Sequence, residues 1–193
     1  MFFIIPGVII SIITFPGVIM HELSHQIFCR LRRVPVYEVK YFRGGNPCGY
    51  VAHEPSDNPL TIFLISMGPF IFNTLVGALM LLPASVVMSE FGLLNAIRNS
   101  NVNGDTILGM FPTLIAFWLG ASILMHAFPS TGDAKILVAN ILKNKDVNIF
   151  IRILVAPFVG FTYLGAMGSV VWLDLGYAIL VAFMLPRFIG LFL

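Results

Sequence analysis

GVIMHELSHQIF, residues 17 to 28, sets a polar five-residue cluster inside an apolar run. His21, Glu22 and His25 follow twenty residues that carry no charge at all. A carboxylate and two imidazoles are costly in a segment this apolar, and ionisable groups inside a membrane segment mark functional sites. How the cluster is tolerated decides how the rest of the chain is read.

The surroundings are those of a membrane protein. Of 193 residues, 58% are hydrophobic and only 10% charged, whereas soluble domains carry about a quarter charged residues. Several apolar stretches reach the roughly 20 residues needed to cross about 30 Å of hydrocarbon. The expectation is an all-α polytopic membrane protein of about five transmembrane helices, forming one domain over residues 1–193. The spans fall near residues 2–28, 60–87, 108–128, 149–173 and 175–193. The first lacks a basic leader and a small-residue cleavage pattern, so it reads as a retained helix rather than a signal peptide.

Basic residues sort between the connections. Arg30, Arg32, Arg33, Lys40 and Arg43 follow the first span, and Lys135, Lys143, Lys145 and Arg152 lie between the third and fourth. Arg98 is the lone basic residue between the second and third. The positive-inside rule then puts the N-terminus outside and both basic connections in the cytosol of a multi-pass protein of the cell membrane. No basic tract points to nucleic acid. Cys29 and Cys48 read as reduced thiols rather than a disulfide.

Pro6 suits a first helical turn, and a helix from Pro6 to Phe28 would be roughly 34 Å long. That length sets His21 to His25 in its last two turns, in the cytosolic leaflet, with a kink at Pro16. Between the first two spans, VPVYEVKYF and CGYVAHE are β-prone runs around the turn signal RGGNP, which predicts a short hairpin. DNPL, residues 57 to 60, then reads as a helix start.

The spacing HExxH puts His21 and His25 one turn apart on one helix face, where both can reach a single ion. Zinc favours such ligands and in catalytic sites keeps a position open for water. Glu22 can accept a proton from that water and pass it to a leaving amine. A third protein ligand is needed. In LMHAFPSTGDAK, residues 124 to 135, the break at Pro129–Gly132 lets Asp133 turn inward; His126 is the other candidate, as a direct ligand or as a group that fixes a ligand's tautomer. His53, on the hairpin, reads as a surface residue. Asp133 also suits a helix cap. Within SMGPFIFNTL, residues 66 to 75, Gly68 and Pro69 permit close helix approach, and Asn73 offers an amide to a substrate carbonyl, an oxyanion or a neighbouring helix. Ser24, Gln26, Ser66 and Asn73 are plausible polar lining for a water-filled site.

HELSH, GPFIFN and FPSTGDA together resemble the motifs of the site-2 protease family of intramembrane zinc metalloproteases, over roughly residues 6–145. The resemblance implies a Zn2+ cofactor held by His21, His25 and Asp133, with Glu22 as general base. It implies cleavage of a transmembrane or membrane-associated protein substrate near the cytosolic face, the substrate added as a strand to the hairpin. Here Gly132 precedes Asp133, where the family's glycine follows its aspartate. Residues 149–193 add two further helices with no assigned chemistry; GFTYLGAMGS reads as a packing face. Regulation would fall to the bilayer or to a membrane partner. Two other readings compete. One is a membrane-anchored zincin cutting cytosolic segments, with a third ligand among Glu38, Glu54 and Glu90. The other is a non-proteolytic metal-binding scaffold.

Overall fold

A computed structural model describes residues 7–90, 104–169 and 172–190. Pro6, Arg98 and the last three residues of the fifth expected span lie outside the described residues. The fold is mostly helical. In chain order it comprises α1 (Gly7–Ile13), α2 (Phe15–Leu31), β1 (Val36–Lys40), β2 (Tyr50–His53), α3 (Pro59–Glu90), α4 (Gly104–Met125), α5 (Thr131–Leu137), α6 (Ile149–Gly168) and α7 (Leu173–Gly190). A single π-helical turn, Val138–Leu142, extends α5.

The first apolar stretch is not the continuous helix expected. It breaks at Thr14, and α1 and α2 stand at 91° to each other. Pro16, in the first turn of α2, has no N–H to give and would clash with the carbonyl four residues earlier. The chain stops α1 before that clash and starts a new helix, with Thr14 donating its N–H and its hydroxyl to Ile10 O at 2.8 and 2.7 Å. The break also moves the motif: α2 runs on to Leu31, so His21 and His25 lie near its middle rather than in its last two turns.

Two helical segments are long and apolar enough to cross a membrane, Pro59–Ala84 of α3 and all of α6, or three if α1 and α2 form one broken span. The apolar parts of α4 and α7, Met110–Met125 and Leu173–Met184, are shorter. By helix length, then, two to three of the five expected spans are present among the described residues. Phe150, Leu154, Leu164, Met167 and Leu79 point outward and are 60% or more exposed, far more apolar surface than a water-soluble monomer carries.

The expected hairpin is present. Strands β1 and β2 pair antiparallel with Lys40 opposite Tyr50, Val39 opposite Val51 and Val36 opposite His53, with a bulge between Val36 and Glu38. On this ladder Glu38 hydrogen-bonds the Tyr50 phenol and pushes its pKa up. Arg43 stacks on the Tyr50 ring at 5.1 Å. The thiols of Cys29 and Cys48 are both free.

The long helix α3 is the spine. Against its first half, Ile62 and Met67 pack with Leu137, Ile141, Val147, Val155 and Val159 from α5, the π turn and α6. Against its second half, Leu81 packs with Leu124 of α4 and with Ala178 and Ala182 of α7. Phe70, Phe128, Phe161 and Tyr177 join the two clusters, with Phe70 edge-on to Phe161 at 4.9 Å. Gly165, within the stretch expected to be a packing face, lies directly against Phe128. Helix α2 meets α4 at Gly17, where any Cβ would collide with the backbone of Ser122. There Gly17 N donates to Ser122 Oγ at 2.9 Å, and that hydroxyl donates to Thr14 O at 2.9 Å. This contact seats the HExxH helix beside the segment that carries His126 and Asp133.

Candidate metal centre

Helical spacing brings the rings of His21 and His25 to 4.9 Å. Asp133 arrives from the start of α5, and one ligand atom from each of the three lies within 4.8 Å of the others. Such a group could hold a metal ion. His25 Nε2 stands 3.6 Å from Asp133 Oδ1. Two ligands at about 2.0–2.1 Å from a shared tetrahedral ion would be roughly 3.4 Å apart, so this pair already sits near the separation a bound ion demands.

The surrounding hydrogen bonds leave the right atoms free. His21 Nδ1 donates to His126 O at 2.8 Å, and His25 Nδ1 donates to Ile65 O at 2.9 Å. Each ring therefore carries a proton on Nδ1, and in its neutral form would turn the lone pair of Nε2 toward a bound ion. Backbone-held imidazoles of this kind are the usual outer support of a metal site. Asp133 is divided in the same way. Its Oδ2 accepts from Ser130 N at 2.8 Å and from Ser130 Oγ at 2.6 Å, while Oδ1 faces His25. Ser130 Oγ accepts in turn from Asp133 N at 3.2 Å, so the two residues form a capping box at the start of α5. Asp133 is thus both cap and candidate ligand, and the two roles use different oxygens.

The other expected residues fall as follows. The ring of His126 is outside the group: Thr14, already donating to Ile10 O, accepts from His126 Nε2 at 2.8 Å. His126 acts on the site through its carbonyl oxygen. Asn73, fully buried, donates Nδ2 to that same oxygen at 2.9 Å, and its Oδ1 has no partner. One of its amide hydrogens thus ties α3 to the segment after α4. Glu38 and Glu54 belong to the hairpin and are not in the group; the side chain of Glu90 lies outside the described residues. His53 is half-buried, its Nδ1 on Glu54 O at 2.9 Å. Ser24 is buried without a partner, and Gln26 accepts from Tyr41 at 2.5 Å.

Two cavities flank the group. One of about 470 Å³ has His21 and Glu22 in its wall, with Asn46–Gly49 of the hairpin, Ser130, and the facing ends of α6 and α7. The other, about 490 Å³, is bounded by β2 (Val51–His53), by Ser66 of α3 and by Asp133. Glu22, buried and facing the first cavity, lies under Gly49, where an added Cβ would stand 2.6 Å from its Cγ and 2.9 Å from its Oε1. Gly49 and the capping role of Ser130 are not among the expected site features. Ser130 was readable, since a serine three residues before an acid at a helix start marks a capping box; nothing local marks Gly49.

No family model, no curated protein and no solved structure matches the chain.

Proposed function

We propose that the protein is a zinc-dependent intramembrane endopeptidase of the site-2 protease kind. In this reading it is a multi-pass membrane protein that hydrolyses a peptide bond of a transmembrane or membrane-associated protein near the cytosolic leaflet. One observation carries the reading. His21, His25 and Asp133 converge with Nε2, Nε2 and Oδ1 free, while the opposite atom of each is held by a backbone or hydroxyl partner.

The donor set, two neutral imidazoles and a carboxylate with room beside them, is that of a catalytic zinc site. Zinc bound there would supply Lewis-acid polarisation and make water nucleophilic at neutral pH. The chain's own residues do the rest. Glu22 takes the proton of the attacking water and returns it to the leaving amine. His126 O and Ile65 O hold the two rings in one orientation through the cycle. The cavity holding Glu22 is large enough to admit water, and the hairpin covers it. The outer edge of β2, bordering the second cavity, offers unpaired backbone groups to an extended substrate; a peptide bond freed from a helix in the membrane needs such partners.

The test is zinc per chain together with cleavage of a reporter transmembrane peptide, for wild type, Glu22→Gln, Asp133→Ala and His126→Ala. The reading expects zinc retained and cleavage lost in Glu22→Gln, and both lost in Asp133→Ala. It also expects zinc kept in His126→Ala, since a carbonyl survives the substitution. Stoichiometric zinc in Asp133→Ala would overturn the ligand set, and wild type that binds zinc but cuts nothing would favour a metal-binding scaffold.

A further inference from the structure

The last two helices, to which the proposed chemistry assigns no part, reach the cavity of Glu22. Gly165, Ala166 and Ser169 from the end of α6 and Asp174 from the first turn of α7 are in its wall, as are Asn46–Gly49 of the hairpin. Asp174 is half-buried, and its Oδ1 accepts from Leu175 N at 2.9 Å. That bond caps its own helix and neutralises nothing. No ion pair reaches Asp174 among the described residues. Among the described residues lining the cavity, Asp174 and Glu22 are the carboxylates, and neither lysine nor arginine is present.

The described wall carries no lysine or arginine, so a side-chain cation entering away from the ion-binding group meets the Asp174 carboxylate with no basic side chain competing for it. Glu22 is reserved for the proton of the reaction. Asp174, in the wall of the same cavity, has no such task. The chain on one side of a scissile bond held at Glu22 would run into this cavity, and its side chains would meet Asp174.

We infer that Asp174 is a specificity determinant: it selects substrates carrying a lysine or arginine within a few residues of the scissile bond, on the side that enters the Glu22 cavity. The inference rests on the peptidase reading for the identity of the ligand. A side-chain cation reaching the carboxylate forms one charge-assisted hydrogen bond, and its loss is read as roughly tenfold or more in affinity.

The experiment uses transmembrane reporter peptides that differ at single flanking positions, each bearing Lys, Leu or Glu. Binding is measured to the full chain carrying Glu22→Gln, which removes the other cavity carboxylate and stops turnover. The same is done with Asp174→Asn and Asp174→Lys added. Each protein is read as a ratio between peptides, so a loss of folded material cancels. At one or more positions the Lys peptide should bind roughly tenfold tighter than the Leu peptide with Asp174 present. The ratio should approach unity in Asp174→Asn and favour the Glu peptide in Asp174→Lys. Equal ratios in all three proteins would overturn the inference, even if wild type cleaves the peptides. Selective binding without cleavage by wild type would instead count against the peptidase reading and leave the role of Asp174 standing.

Discussion

His21 and Asn73 share one acceptor: His126 O receives the Nδ1 proton of His21 at 2.8 Å and an Nδ2 proton of Asn73 at 2.9 Å. The carbonyl lies just past the end of α4 and is held from two sides, by α2 and by α3. The orientation of His21 therefore depends on a residue 52 positions away that does not touch the ion site itself.

Asn73→Leu tests that dependence. The substitution deletes one hydrogen bond but also removes an unpartnered buried Oδ1, so the stability cost should be small, about 1 kcal/mol. The loss of outer support should instead weaken zinc affinity by roughly 10- to 100-fold. A competitive chelator titration reads the second effect and thermal unfolding the first. Unchanged affinity would remove Asn73 from the support of His21.

Ser130→Ala acts on the proposed third ligand, Asp133. It deletes the hydroxyl that both caps α5 and holds Asp133 Oδ2. The expected result is about 1 kcal/mol of lost stability from the cap and roughly tenfold weaker zinc binding from a freed carboxylate. Ser130→Thr should restore both, because threonine also caps. Rescue of stability without rescue of zinc binding would separate the two roles.

Gly49→Ala probes the hairpin over Glu22. Its Cβ would stand 2.6 Å from Glu22 Cγ, closer than side chains pack, so Glu22 or the hairpin must move. Overpacking of this kind costs about 1–3 kcal/mol. Zinc content should stay near wild type, since no ligand is touched, while cleavage falls at least about tenfold if that cost is borne by the catalytic geometry. Full activity in Gly49→Ala would show that the hairpin yields freely and does not position Glu22.

Gly17→Ala tests the seating of α2. The added Cβ collides with Ser122 backbone rather than with a flexible side-chain end, so relief requires α2 and α4 to separate. Destabilisation of roughly 1–3 kcal/mol or more is expected, with zinc affinity falling in parallel, because Asp133 and His21 approach from the two sides of that contact. Wild-type thermal unfolding would contradict the close approach.

What was legible in the sequence was local. HExxH needs only helical periodicity to bring two imidazoles together, and the hairpin is announced by β-prone runs around RGGNP. Asp133 was reachable because a break at Pro129 stands out in an apolar chain. The rest depends on distant backbone. That His126 contributes a carbonyl and not its ring follows from Thr14 taking the ring, and Thr14 is placed there by the break before Pro16. For Asn73 the sequence allows a substrate carbonyl or a neighbouring helix as partner, and the partner observed, His126 O, lies 53 residues on. The same break put the motif at the middle of α2 rather than near its end. Asp174 reads as a first-turn helix acid until α7 is packed against α3, which brings it into the wall of the cavity that Glu22 also lines.

The central claim is that Glu22 works as a base beside a bound zinc ion. The most direct measurement is single-turnover cleavage of a reporter transmembrane peptide by zinc-loaded wild type and Glu22→Gln in lipid, with the cut position read by mass spectrometry. The account predicts a cut within the hydrophobic segment by wild type, and a rate at least about a hundredfold lower in Glu22→Gln, the scale of general-base catalysis. A Glu22→Gln variant that holds zinc and cuts at the wild-type rate would contradict it.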